Sequence, residues 1–212
     1  MREESLKLIL IRHAETVANY NGEYLGFSDS PLTAKGEESA KALCRYLSQQ
    51  RIEHIYASTS KRVYNTIYGL SNFKEKVSLV KDLREINFGE YEGKDFNWIK
   101  DNNEEQIECM ISEGSGYTYP NGESLDMMHE RVILWLDNFL SHHKHGTYLI
   151  ATHAGVIRSI LSYLLTGTND IHWNFKIRPA SITTINIQDG FPIVENLGHV
   201  PYNNSRSNLD IK

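Results

Sequence analysis

Two histidines stand where two strand-like runs end. Leu8-Ile9-Leu10-Ile11 is a continuous apolar run followed at once by Arg12-His13. Thr147-Tyr148-Leu149-Ile150-Ala151-Thr152 is a second, followed by His153-Ala154-Gly155. Such runs suit strands covered by helices on both faces. In an open α/β sheet ligands bind outside the carboxyl ends of the strands, so a guanidinium and two imidazoles there stand where substrate belongs. Arg62 lies in the first turn of a helix expected to begin near Lys61. A cation opposes the dipole at a helix N-terminus, so its place asks for a reason, such as an anion held between guanidinium and backbone N–H groups. Taken alone, Arg62 reads as an exposed surface arginine, because charged side chains are mostly exposed.

Arg12, Arg62, His13, His153, the N–H groups at the start of the helix at Ala154 and the acidic loop Asp82–Gly93 together match a phosphoryl oxyanion. Arginine offers planar paired donors, and no metal-ligand set stands out. Phosphoryl transfer needs mainly positioning and charge stabilisation, and a neutral imidazole is a competent nucleophile that splits the reaction in two. His13 would have to be neutral, a form favoured by neighbouring guanidinium groups, with its other ring nitrogen donating to a backbone carbonyl. His153 then donates to the phosphoryl group, and Glu85 or Glu92 protonates the leaving oxygen. A single histidine is more often structural. Two at equivalent strand ends, each beside anion-binding elements, reverse that reading.

The elements that must hold these groups can be read around them. Val17 to Pro31 has loop composition and brings Asn19 within short reach of His13. Thr33 should cap a helix whose Ala40, Leu43, Cys44 and Leu47 form an apolar stripe, which makes Cys44 a core residue. His54–Ala57 and Val77–Val80 read as strands. The segment at about 95–122 reads as a helical insertion or lid. Ser124 should cap a helix with Met128, Val132, Leu136 and Phe139 in period, ending near His142-His143-Lys144-His145, where basic residues suit a helix C-terminus better than a metal. A helix from Gly155 to Leu165 presents Ile157, Ile160, Leu161 and Leu164 to the sheet. Ala180–Ile187 and Phe191–Leu197 flank Asp189-Gly190, the signal of a type I′ hairpin at a sheet edge. A polar, loose tail follows Pro201.

Composition bounds the rest. The 212 residues are 40% hydrophobic and 23% charged, which fits one globular domain over 1–212. The formal net charge of -5 leaves no basic footprint for nucleic acid or an anionic membrane. Cys44 and Cys109 are too far apart for a redox or metal motif, so free thiols in a reducing compartment are expected. The opening MREESLKLIL does not read as a signal peptide, and the expected location is the cytoplasm. The expected partner is a small-molecule phosphomonoester, with no cofactor.

Arg12-His13-Ala14-Glu15-Thr16 resembles the R-H-G-E-T signature of the histidine phosphatase superfamily, also called phosphoglycerate mutase-like. The likeness continues in order through Gly26 to Gly36 (G-x-x-D-x-P-L-T-x-x-G), Ser58 and Arg62 (S-x-x-x-R), Glu85 with Phe88-Gly89 and Glu92-Gly93, Pro120–Ser124 and His153-Ala154-Gly155. The resemblance implies a three-layer α/β/α sandwich on a mostly parallel sheet. It implies phosphorylation of His13 during turnover, Arg12, Arg62, His153 and the Ala154 helix start around the phosphate, Asn19 supporting that pocket, and Glu85 as general acid. Ala14 stands for the usual Gly and Val63 for a common Ala. The short length and P-N-G-E-S run are most similar to the α-ribazole phosphatase and broad-specificity phosphatase branch. That implies a metal-independent phosphomonoesterase, with α-ribazole 5'-phosphate a candidate substrate. The alternatives are a cofactor-dependent phosphomutase of the phosphoglycerate type and a non-catalytic phospho-ligand-binding protein.

Overall fold

The structure, a computed structural model, describes residues 5–70 and 76–200. In chain order the first elements are β1 (Ser5–Arg12), α1 (Val17–Asn21), α2 (Ala34–Leu47), β2 (His54–Ser58), α3 (Lys61–Ile67) and β3 (Val77–Val80). They are followed by α4 (Phe96–Asn102), α5 (Glu104–Glu113), α6 (Leu125–His142), β4 (Gly146–Thr152), α7 (Ala154–Thr166), β5 (Ile182–Gln188) and β6 (Phe191–His199).

β1 is apolar on both faces and is covered twice. Leu6, Leu8 and Leu10 join Met128, Val132 and Leu136 of α6 and Ile157 and Ile160 of α7 in one buried cluster. Ile9 and Ile11 join Ala40, Leu43 and Leu47 of α2 and Val63 and Ile67 of α3 in another. The alternation of side chains along one strand therefore generates the three layers expected from the sequence. Cys44 lies in the second cluster, its Sγ 3.3 Å from the Thr66 carbonyl, as a core residue should.

The sheet order is β3-β2-β4-β1-β5-β6. β3, β2, β4 and β1 run parallel, and β5 and β6 complete one edge antiparallel. Arg12 is the register partner of Thr152, so His13 and His153 leave the sheet side by side. The β5–β6 connection has positive φ at Asp189 (48°) and Gly190 (83°), as a type I′ turn requires. Thr33 accepts from the Gly36 N–H (2.9 Å) and Ser124 from the Met127 N–H (3.1 Å), so both expected caps form.

One expectation needs correcting. The Val17–Pro31 stretch opens with a short helix, because Thr16 Oγ1 accepts from the Asn19 N–H (3.2 Å) while Asn19 Oδ1 accepts from the Thr16 N–H (3.3 Å). This reciprocal box uses Asn where Glu or Gln is usual. The segment at 95–122 is helical over α4 and α5. His143, after α6, stacks on Phe139 at 4.4 Å and donates to its carbonyl, which gives that ring a packing role. The tail beyond Pro201 lies outside the described residues. Among the described residues no helix is long and apolar enough to cross a membrane.

Candidate active site

His13 is held at both ends of its backbone. Its N–H donates to the Thr152 carbonyl (3.0 Å), and its own carbonyl accepts from the Ala180 N–H (3.1 Å). The next N–H, of Ala14, donates to Thr66 Oγ1 at 2.9 Å. Ala14 is fully buried and is not in the left-handed region, so the Cβ it carries in place of the usual Gly is accommodated without strain. The His13 ring places Nδ1 2.8 Å from the Ala14 carbonyl. A carbonyl only accepts, so Nδ1 carries the hydrogen and a neutral ring keeps its lone pair on Nε2.

The His153 ring lies 5.2 Å from that of His13, centroid to centroid, at an interplanar angle of 62°. Its Nε2 meets Ser58 Oγ at 2.9 Å and Ser60 Oγ at 3.4 Å. Either hydroxyl can give its hydrogen to Nε2, and in that tautomer Nδ1–H is the neutral donor. That Nδ1 is buried and without a partner, as are Arg12 Nε and Arg62 Nε. Unpaired buried donors are costly, and their presence around a pair of histidines marks a site built for an anion.

Arg62 is 1% exposed, which overturns the surface reading. Its Nη1 donates to the Ser28 carbonyl (2.6 Å) and Asp29 Oδ1 (3.2 Å), and its Nη2 to the Leu25 (3.2 Å) and Gly26 (2.8 Å) carbonyls. Asp29 also accepts from the Lys61 and Arg62 N–H groups, capping α3 from a distant loop. Arg12 is oriented more simply, by Nη1 on the Ile177 carbonyl at 2.8 Å. Asn19 carries out the local capping described above, with its Oδ1 committed to Thr16.

The two candidate acids separate. Glu92 accepts from the N–H groups of Gly26, Phe27, Ser28 and Phe88, so it staples the Arg62-bearing loop and has no capacity left for proton transfer. We expect Glu92→Ala to lower stability by about 2–4 kcal/mol, since several bonds to one charged acceptor are lost together; an unchanged urea midpoint would refute the staple. Glu85 places Oε2 3.0 Å from the Gly155 N–H in the first turn of α7. A Cβ at residue 155 would collide with Glu85 Oε1, so only glycine allows this approach. Ala154, beside it, is the first residue of α7, where a backbone N–H has no intrahelical partner.

Burial, then Arg62 and Arg12, hold the His13 imidazole well below its usual range. Burial and the same cations, with His13 itself, do so for His153. Arg12 falls to about 10 through burial, opposed by Glu85. Burial with Arg158 and His129 takes His172, on the wall of the adjoining cavity, to about 4. A histidine depressed in the fold binds its proton more readily in the unfolded chain. The stability it contributes is therefore complete above the unfolded value and is lost as pH falls from there towards the folded one. For His172 that window runs from 6.5 to about 4. At pH 5 we expect this residue alone to cost about 2 kcal/mol relative to pH 7.5. Urea midpoints at the two pH values test this: His172→Asn should flatten the profile, and an unaltered profile would contradict it.

Glu85, Ala154 and Gly155 also line a cavity of ≈ 910 Å³. Tyr24, Phe88, Tyr117, Tyr119 and Trp173 supply its aromatic wall, and Arg158 its cation. The profile of the histidine phosphatase superfamily, branch 1, matches residues 8–199. The chain belongs to that superfamily. It is 29% identical over 186 residues to phosphoserine phosphatase 1 of Hydrogenobacter thermophilus, covering 87% of this chain and 88% of that one. It is 26% identical over 187 residues to the adenosylcobalamin/alpha-ribazole phosphatase of Escherichia coli, with 88% and 92% covered. The alpha-ribazole phosphatase of Shigella flexneri superposes with a TM-score of 0.85 at 25% identity, covering 91% of this chain and 96% of that structure. As a histidine phosphatase the chain has an α/β/α fold, and its relatives include proteins named phosphatases and proteins named phosphoglycerate mutases.

Within this superfamily site, the fold brings Arg12, His13, Arg62, Glu85, His153 and Ala154 together. Sequence reasoning missed the contacts of Ser58 and Ser60 with His153, and the approach of Arg131 and Arg158 to Glu85. A spacing of two between Ser58 and Ser60 just before a helix was the one available signal for the first pair.

Proposed function

We propose that this chain is a metal-independent phosphomonoesterase that works through a phosphohistidine at His13. One observation carries the reading: His13, with Nδ1 on the Ala14 carbonyl and its Nε2 lone pair free of that bond, packs ring to ring with His153 at 5.2 Å, while Arg12 Nε, Arg62 Nε and His153 Nδ1 are buried without partners. In the first step Nε2 attacks phosphorus, the ester P–O bond breaks, and Glu85 gives a proton to the leaving oxygen. In the second, water attacks the phosphohistidine, Glu85 takes a proton from it, and inorganic phosphate leaves. The guanidinium groups, His153 and the α7 N-terminus bear the charge of the transferring group, so the step needs no metal to bear it.

The whole of 1–212 reads as one domain in which the helical segment at 95–122 overhangs the site, since Met110, Ser115, Tyr117 and Tyr119 line the cavity. That cavity is at the upper end of the usual range of about 300–1,000 Å³ for small-molecule sites. Its aromatic wall favours a ring-bearing leaving alcohol, which supports α-ribazole 5'-phosphate over phosphoserine. Hydrolysis of both esters, with a chelator present, tests the assignment: a higher kcat/KM for α-ribazole 5'-phosphate supports it, and a preference for phosphoserine reverses it.

A further inference from the structure

Arg131 lies on α6, and its five N–H groups are all spent, three on the segment that bears Glu85 and two on Glu123. Its Nε and Nη2 form a fork on Glu123 at 2.9 Å each. Its Nη1 donates to the Asp82 (2.7 Å) and Arg84 (2.8 Å) carbonyls, and its Nη2 donates also to the carbonyl of Glu85 itself (2.9 Å). Glu123 closes the other side: its Oε2 accepts from the Asn87 N–H at 2.9 Å, and its own N–H donates to the Asn87 carbonyl at 2.9 Å. The pair therefore grips residues 82–87 on both sides of the carboxyl that docks on α7.

We propose that Arg131 and Glu123 are positioning residues that aim Glu85 at the leaving oxygen, an inference that rests on the phosphomonoesterase reading above. The segment has its own apolar anchors, Leu83 and Ile86, both buried, which keep it on the core whatever happens to the ion pair. The pair itself is partly solvated, with side chains 19% and 16% exposed, and pairs near the surface add little to stability. What Leu83 and Ile86 cannot fix is the orientation of the peptide between them, and that orientation decides where the Glu85 carboxyl stands. A displacement of about 1 Å at a reacting group can cost about 100-fold in rate.

The discriminating readout is the leaving group. A nitrophenolate departs without a proton, whereas an alkoxide needs one, so a misplaced acid harms alkyl phosphates selectively. With kcat/KM as the measure, Arg131→Lys and Glu123→Gln should each lower turnover of an alkyl phosphate by about 100-fold and that of p-nitrophenyl phosphate by less than about threefold. Glu85→Gln should show the same selectivity. Thermal melts check that each variant folds, and the two variants act on opposite sides of the clamp, so one suffices if the other does not fold. Equal losses on both esters, or no loss on either, would overturn the positioning role. If the unaltered protein hydrolyses neither ester and carries no phosphate on His13, the phosphomonoesterase reading fails first.

Discussion

We expect His13→Ala to lower kcat/KM for phosphomonoester hydrolysis by about four orders of magnitude or more, because in the proposed mechanism it removes the atom that forms the new bond to phosphorus. The same substitution should abolish incorporation of label from a ³²P ester into protein, whereas the unaltered chain should yield an acid-labile, alkali-stable adduct. The site makes the effect this large because its other groups are arranged around the nucleophile. Nδ1 is tied to the Ala14 carbonyl, so the lone pair on Nε2 has one direction, and burial, then Arg62 and Arg12, keep the ring neutral. His153→Ala should be milder, by about 100- to 1,000-fold, since it removes one donor to the transferring group and no bond. Hydrolysis that survives His13→Ala at the original rate would require another nucleophile and would dismantle the mechanism.

Part of the fold and of the site is legible in the sequence alone, and particular residues explain why. A strand buried on both faces leaves a continuous apolar run, so β1 and β4, and with them the two histidines, could be read directly from Leu8–Ile11 and Thr147–Thr152. Local chemistry marked Thr33, Ser124 and the Asp189-Gly190 turn, each of which depends on neighbours within a few positions. The rest depends on partners far along the chain. Nothing near Arg62 in sequence says that three carbonyls between Leu25 and Ser28 and the Asp29 carboxylate will surround it. Nor does the loop composition distinguish Glu85, docked on the N-terminus of α7, from Glu92, consumed by four N–H groups. Those assignments follow from tertiary approach, which the family pattern summarises and local propensity does not contain.

The same distant contacts make Arg62 the residue where stability and phosphate binding are hardest to separate. Arg62→Met keeps most of the buried volume but leaves the carbonyls of Leu25, Gly26 and Ser28 without the guanidinium and the Asp29 carboxylate without its counter-charge, although Asp29 keeps its two backbone N–H donors. The expected cost is about 3–5 kcal/mol in urea unfolding, the range for breaking one side of a buried charged network. Activity should fall by about 1,000-fold even where the variant is fully folded, because the Nε donor and its charge are gone from the transition state. Arg62→Lys separates the two effects. It returns the positive charge but not the planar fork, so a lysine cannot serve the three carbonyls and the phosphate together. We therefore expect Lys to recover part of the stability and little of the activity. If Lys restored kcat/KM fully, the guanidinium geometry would be irrelevant to phosphate, and Arg62 would be a structural cation alone.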